Sequence, residues 1–139
     1  MKKDLDQKIV LAAQQAALKA YAPYSGLRVG AAVLGKTGRI FTGCNVENVS
    51  YGLTICAERV AASKAVSEGE KEIAAIAVYS AGVRMISPCG ACLQFLLEFG
   101  PKMKVILSGK NKTEDLILSE LLPKMFGPQH LRNKKDRRA

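Results

Sequence analysis

The sequence predicts an α/β fold, a three-layer α-β-α sandwich around a mixed sheet of about five strands. Three observations carry that reading. Segments of helical periodicity alternate with short apolar segments along most of the chain. The turn Lys36-Thr37-Gly38 joins two alternating segments, the mark of a hairpin. After the hairpin, helix–strand alternation points to parallel connections with right-handed crossovers. At 139 residues, 48% apolar and 24% charged, the chain suits one globular domain.

In order, Asp4–Ala22 reads as an amphipathic helix with Asp4 as N-cap, because Leu5, Ile9, Ala12, Ala16 and Ala20 recur at helical spacing. Pro23 disfavours helix at Ala22 and ends it. Its many alanines suggest close packing. A loop, Tyr21–Gly26, leads to a strand at Leu27–Leu34, and Arg39–Cys44 is the returning strand. Asn45–Thr54 is polar and reads as a loop. Cys56–Glu68 is a helix closed by Gly69, and Ile73–Ser80 is a buried strand. Gly82–Ile86 is a loop. Ser87 as N-cap and Pro88 at the first position start a helix that runs to Phe99, before Gly100-Pro101. Lys104–Ser108 and Thr113–Leu118 are strands, and Ser119 caps a short helix through Leu122 that Pro123 ends.

Residues 1–128 are expected to form the domain and 129–139 a flexible basic tail. Of the net charge of +9, the five basic residues and one acid between His130 and Ala139 supply +4, leaving +5 for the rest. A net charge of +9 raises nucleic acid as a partner, but its concentration in the tail weakens that reading. No aromatic residues interleave with the basic ones as a single-strand binder would want, so the tail reads as solvated and a nucleic-acid partner is not expected. His130, the only histidine, reads as an exposed tail residue. No apolar run reaches the ~20 residues that span a bilayer, and no signal core follows the N-terminal lysines. The expected location is the cytoplasm, where thiols stay reduced.

Four cysteines are present, at 44, 56, 89 and 92. Cys89 and Cys92 lie three apart at a helix start, on one side, where free N–H groups and the helix dipole favour thiolate. A redox dithiol shares that spacing, but a third thiol, Cys56, begins the other helix. Soft thiolates suit zinc. Three thiolates and Zn2+ sum to −1, and Arg59, one turn from Cys56, can offset the excess. Cys44 as a fourth ligand would close the site and make it structural. Such a site would have no use for Glu58. An open fourth position leaves room for water, whose pKa zinc lowers toward ~7, with Glu58 to move its proton.

The stretches Cys44-Asn45-Val46-Glu47-Asn48, Cys56-Ala57-Glu58-Arg59 and Ser87-Pro88-Cys89-Gly90-Ala91-Cys92 resemble the cytidine deaminase family, in its small homotetrameric, three-cysteine branch. Tyr21-Ala22-Pro23-Tyr24-Ser25 and Leu121-Leu122-Pro123 match as well. The resemblance implies one Zn2+ per subunit on Cys56, Cys89 and Cys92, with Glu58 as proton shuttle. It implies a pyrimidine contact from the Ala57 backbone and a ribose 3′-hydroxyl held by Asn45 and Glu47. It also implies that Tyr51 and Phe126 reach the sites of neighbouring subunits in a homotetramer.

Two positions depart from the pattern. Leu27 stands where many members carry a phenylalanine against the base, which leaves an apolar wall without ring stacking. Leu93 stands where an arginine commonly follows the last zinc cysteine. It removes a positive charge, so more dependence on Arg59 is expected.

The implied activity is hydrolysis of cytidine and 2′-deoxycytidine to uridine and 2′-deoxyuridine with release of ammonia, in pyrimidine salvage. The alternative is a related deaminase of another cytosine nucleoside, such as a blasticidin-type antibiotic. A more distant reading is a non-catalytic, zinc-stabilised nucleic-acid-binding module.

Overall fold

The structure is a computed structural model that describes residues 2–82 and 85–131. Its elements are α1 (Lys2–Ala17), β1 (Val29–Gly35), β2 (Ile40–Cys44), α2 (Ala57–Ser67), β3 (Ile73–Ser80), α3 (Gly90–Leu97), β4 (Lys104–Ser108), β5 (Thr113–Ile117) and α4 (Leu118–Leu121), with 3₁₀ turns at Tyr51–Leu53 and Pro128–His130. The five strands form one sheet in the order β2-β1-β3-β4-β5.

The sheet is mixed, as expected, but less parallel. Among the described strands only β3 and β4 pair in parallel. The reason is the hairpin: β1 inserts between β2 and β3 and runs antiparallel to both.

Strand alternation sorts side chains to two cores. Ile9 and Ala13 of α1 pack with Ala32, Ala75, Ala77 and Ile106 on one face. On the other, Ala57, Ala61, Ala62 and Ala65 of α2 and Leu93, Leu96 and Leu97 of α3 pack with Ala31, Val33, Ile76, Val78, Val105 and Leu107. The small residues let the layers close tightly. A Cβ on Gly30 would lie 1.9 Å from the Ala13 carbonyl oxygen, and one on Gly43 would lie 2.5 Å from the Ala61 nitrogen.

Register places the functional end. Cys44 pairs with Gly30, Val29 with Ser80, and Tyr79 with Ser108. The C-terminal ends of β2 and β3 therefore share one end of the sheet. The helices that follow them, α2 and α3, start there.

Both ends of the first helix, both ends of the third and the start of the last differ from expectation. Helix α1 starts at Lys2, so Asp4 is a first-turn acid and not the N-cap. It also stops at Ala17. The next N–H groups bond three residues back, and Tyr21 then leaves to pair with Val46. Helix α3 starts at Gly90 with Cys89 as N-cap, past the Ser87-Pro88 signal, and ends at Leu97. Helix α4 follows β5 directly, with Ile117 in the N-cap position and not Ser119. His130 does not fray: it closes the second 3₁₀ turn, where its Nδ1 accepts from the Gly127 N–H at 3.0 Å. The rest of the expected tail, 132–139, lies outside the described residues, as do residues 83 and 84 of the expected loop.

Candidate active site at two helix N-termini

Cys56 is the N-cap of α2 and Cys89 the N-cap of α3, each in extended conformation with no side-chain cap bond. Their sulfurs are thus free to face each other, 3.9 Å apart. Cys92 projects from the first turn of α3. The three Sγ atoms lie within 4.8 Å of one another. The 3.9 Å separation is far beyond a disulfide, at ~2.05 Å. It is close to the ~3.8 Å between sulfurs that each sit ~2.3 Å from one tetrahedral zinc. The donor set, three thiols at two helix N-termini, therefore fits a single zinc ion. Cys44 stands apart and lines a groove with Leu18, Lys19, Val60 and Lys64. Among the described residues no fourth cysteine closes the group.

Neighbouring charges prepare the thiols. Cys56 is pulled down to about 5, first by the Cys92 thiol and then by Arg59. Cys92 is pushed up, chiefly by sharing its proton with the Cys56 thiolate and by burial. Within this coupled pair Cys56 ionises first. The Arg59 Nη2 donates to the Cys56 Sγ at 3.5 Å. Arg59 itself is held charged by that contact.

Glu58, in the first turn of α2, is 4% exposed. Burial first, and then the Cys56 charge, raise its carboxyl to about 7. A carboxyl poised there can both take and give a proton at neutral pH. Ala57 beside it is fully buried against the sheet.

A second group forms on the polar loop. The Asn45 side chain accepts from the Val29 N–H at 2.9 Å and donates to the Leu27 carbonyl at 2.8 Å. Glu47 accepts from the N–H groups of Tyr24 at 2.9 Å and Ser25 at 3.1 Å, and also from the Ser25 hydroxyl. The Ser25 hydroxyl bond is the chief reason the Glu47 carboxyl sits below its usual range. Glu47 lines a groove of about 300 Å³ with Tyr24, Ser25, Tyr51 and Thr54. Tyr51 is exposed, its ring 5.8 Å from that of Tyr24.

Phe126 joins neither group. It is exposed, its ring stacks on His130, and its carbonyl accepts from Gln94 of α3 at 2.8 Å. Leu93 is buried in the larger core. Neither Ser25 nor Gln94 carries a role in the sequence reading. Ser25 had a local signal: a serine two residues before Leu27 can fold its hydroxyl back onto that N–H.

The model of the cytidine and deoxycytidylate deaminase zinc-binding region matches residues 3–108, a span that holds all three clustered cysteines and Glu58. The chain belongs to the cytidine and deoxycytidylate deaminase family. Its similarity to other members is extensive. It is 49% identical over 126 residues to a probable cytidine deaminase of Dictyostelium discoideum, covering 90% of this chain and 86% of that one. It is 47% identical over 122 residues to the cytidine deaminase of Halalkalibacterium halodurans, covering 86% and 92%. The crystal structure of cytidine deaminase from Burkholderia pseudomallei superposes with a TM-score of 0.83 at 44% identity, covering 86% of this chain and 98% of that one. Membership in this deaminase family agrees with the three-thiol group as one zinc site.

Proposed function

We propose that this chain hydrolyses cytidine and 2′-deoxycytidine to uridine and 2′-deoxyuridine with release of ammonia. The observation that carries the reading is the convergence of Cys56, Cys89 and Cys92 beside the buried carboxyl of Glu58. Cys56, Cys89 and Cys92 would hold zinc, with Arg59 offsetting the thiolate charge. When bound, zinc supplies a Lewis acid that makes water a nucleophile near neutral pH.

Glu58 takes a proton from the water as its oxygen adds to the amino-bearing ring carbon. It hands that proton to the adjacent ring nitrogen. A second proton, from the new hydroxyl, passes through Glu58 to the amino group. The C–N bond then breaks, ammonia leaves, and the ring carbonyl remains. The Ala57 backbone contacts the pyrimidine and Leu27 packs against it. Asn45 and Glu47 hold the ribose 3′-hydroxyl, where the remaining lone pair of Glu47 and the second amide hydrogen of Asn45 suit a hydroxyl.

The active form is a homotetramer in which Tyr51 and Phe126 complete neighbouring sites. Support comes from large apolar side chains left exposed on one chain: Val49 (76%), Tyr51 (74%), Leu53 (65%) and Phe126 (57%). Val49, Tyr51 and Leu53 fall within five residues of one loop, and apolar surface exposed in that concentration marks interfaces. The role is pyrimidine salvage in the cytoplasm. In keeping with this, no helix among the described residues is long and apolar enough to cross a membrane.

The test is the ultraviolet absorbance of cytidine with zinc-loaded protein, using Glu58→Ala as control. Loss of cytidine absorbance with wild type alone is expected, together with one zinc per chain and a fourfold chain mass by light scattering. Stable absorbance with the zinc-loaded wild type would refute the reading.

A further inference from the structure

Asn45 and Glu47 lie two apart in an extended stretch, so their side chains share one side of the chain. Both point at the segment 24–29. The β1–β2 ladder ends at Gly30 and Cys44. Beyond it, the Asn45 side-chain amide extends the ladder alongside the backbone, accepting from the Val29 N–H and donating to the Leu27 carbonyl. Asn45 is 8% exposed, and its own N–H donates to the Val29 carbonyl at 3.2 Å. Glu47 grips the same segment nearer its start, at Tyr24 and Ser25. Its carboxylate accepts from the Ser25 hydroxyl, and that hydroxyl accepts from the Leu27 N–H at 3.0 Å. Both backbone polar groups of Leu27 are therefore tied to this pair, the carbonyl through Asn45 directly and the N–H through Ser25. Gly26, at φ +72°, supplies the left-handed turn that the arrangement needs.

We propose that Asn45, Glu47 and Ser25 are positioning residues that clamp the Leu27 backbone from both sides and so set the apolar wall that meets the pyrimidine. This rests on the deaminase reading above and extends it, because residues assigned to the sugar then also act on the base. Glu47 has about four acceptor sites and the segment uses three of them. One remains for a sugar hydroxyl, so the two roles coexist. A sugar lacking its 3′-hydroxyl would still feel the loss of Glu47. Ser25 would matter as much as Glu47 although it has no sugar role.

The experiment is a set of double-variant cycles on zinc-loaded protein. Ser25→Ala, Glu47→Gln and Asn45→Asp are each made alone and with Leu27→Ala, and assayed on cytidine and on 3′-deoxycytidine. Each single change is expected to raise KM about tenfold, the scale of a lost charge-assisted hydrogen bond, with kcat and zinc content largely kept. Beside Leu27→Ala the same changes should cost less than about threefold, because the wall they hold is gone. The loss from Ser25→Ala should persist on 3′-deoxycytidine. Losses that multiply fully with Leu27→Ala, or that vanish without a 3′-hydroxyl, would overturn the proposal.

Amide hydrogen exchange at Leu27 in the free protein is read in parallel. Ser25→Ala and Glu47→Gln should speed it, and unchanged exchange overturns the clamp whatever the kinetics show. A wild-type protein that leaves cytidine untouched sinks the deaminase reading instead, and the exchange result still decides the clamp.

Discussion

The guanidinium of Arg59 reaches back one turn of α2 to the sulfur of Cys56, with Nη2 and Sγ 3.5 Å apart, while its buried Nε has no hydrogen-bond partner. A buried donor left unpaired costs free energy, so the placement serves the sulfur more than the helix. It holds a positive charge against a thiolate cluster whose zinc complex carries excess negative charge. In metal-free protein the Cys56 thiol is down at about 5, so Cys56 is thiolate at neutral pH. Iodoacetamide should therefore label Cys56 before the other cysteines, with a rate that rises through about pH 5 and then levels. Arg59→Gln should move that midpoint upward without restoring an ordinary thiol, since the Cys92 thiol is the larger cause. The same variant should bind zinc more weakly. An unmoved midpoint would show that Arg59 does not tune the site.

The buried carboxyl of Glu58 carries a stability cost that depends on pH. Its carboxyl sits at about 7 in the folded metal-free chain, raised mainly by burial from an ordinary value of 4.5. A raised carboxyl favours the folded state below the ordinary value, and that advantage is lost as pH rises through about 7. One pKa unit is ~1.36 kcal/mol, so the loss approaches about 3 kcal/mol. Metal-free Glu58→Gln should accordingly outlast metal-free wild type at pH 8 in urea, and the gap should close at pH 4. In the zinc-loaded enzyme the same variant should lose on the order of 10²- to 10⁴-fold in kcat while keeping its zinc. A metal-free variant no more stable than wild type at pH 8 would contradict the burial of a charge there.

The parts of this molecule that were legible in advance rest on local pattern. Ile73–Ser80 reads as a buried strand because its apolar run is unbroken, and both core faces depend on it. Cys56 with Glu58, and Cys89 with Cys92, are legible because each pair falls within one turn of a helix start that local signals place to within a few residues. What failed depends on remote contacts. Nothing within 4–22 says that the helix will stop as early as Ala17, or that Tyr21 will pair with Val46. Ser87-Pro88 is a sound local start signal, but the helix gives way to an extended Cys89 whose sulfur faces Cys56. The bonds from Asn45 and Glu47 to the segment 24–29 are hidden for the same reason: their partners lie some twenty residues earlier in the chain.

Gly43 couples sheet packing to the metal site. A Cβ there would meet the Ala61 nitrogen at 2.5 Å and the Ala57 carbonyl oxygen at 2.7 Å, both on the α2 backbone. Neither can yield without moving the start of α2, and with it Cys56. Gly43→Ala should cost about 1–3 kcal/mol, the scale of overpacking, and should weaken zinc binding as Cys56 is drawn away from Cys89. Gly30→Ala is the control. Its Cβ would strike the Ala13 carbonyl oxygen of α1, on the opposite face, at 1.9 Å. It should lower the melting temperature and leave zinc affinity in place. Chelator competition on both variants separates the effects, and equal zinc affinities would show that α2 absorbs the clash without moving Cys56.

Leu93 follows the last thiol in sequence but not in environment. Its neighbour Cys92 faces the metal group, whereas Leu93 is 7% exposed within the core shared by α2, α3 and the sheet. The reading that its side chain withholds a charge from the thiolates therefore competes with a packing role. Leu93→Arg decides between them. A guanidinium in that core must either lose its water or force its way out along the helix, and both are unfavourable. The expected result is a loss of about 1–3 kcal/mol in urea unfolding. Zinc affinity and the dependence on Arg59 should then stay as in wild type. Tighter zinc binding with no loss of stability would mean that the side chain reaches the thiolates after all, and that charge, not packing, is what this position controls.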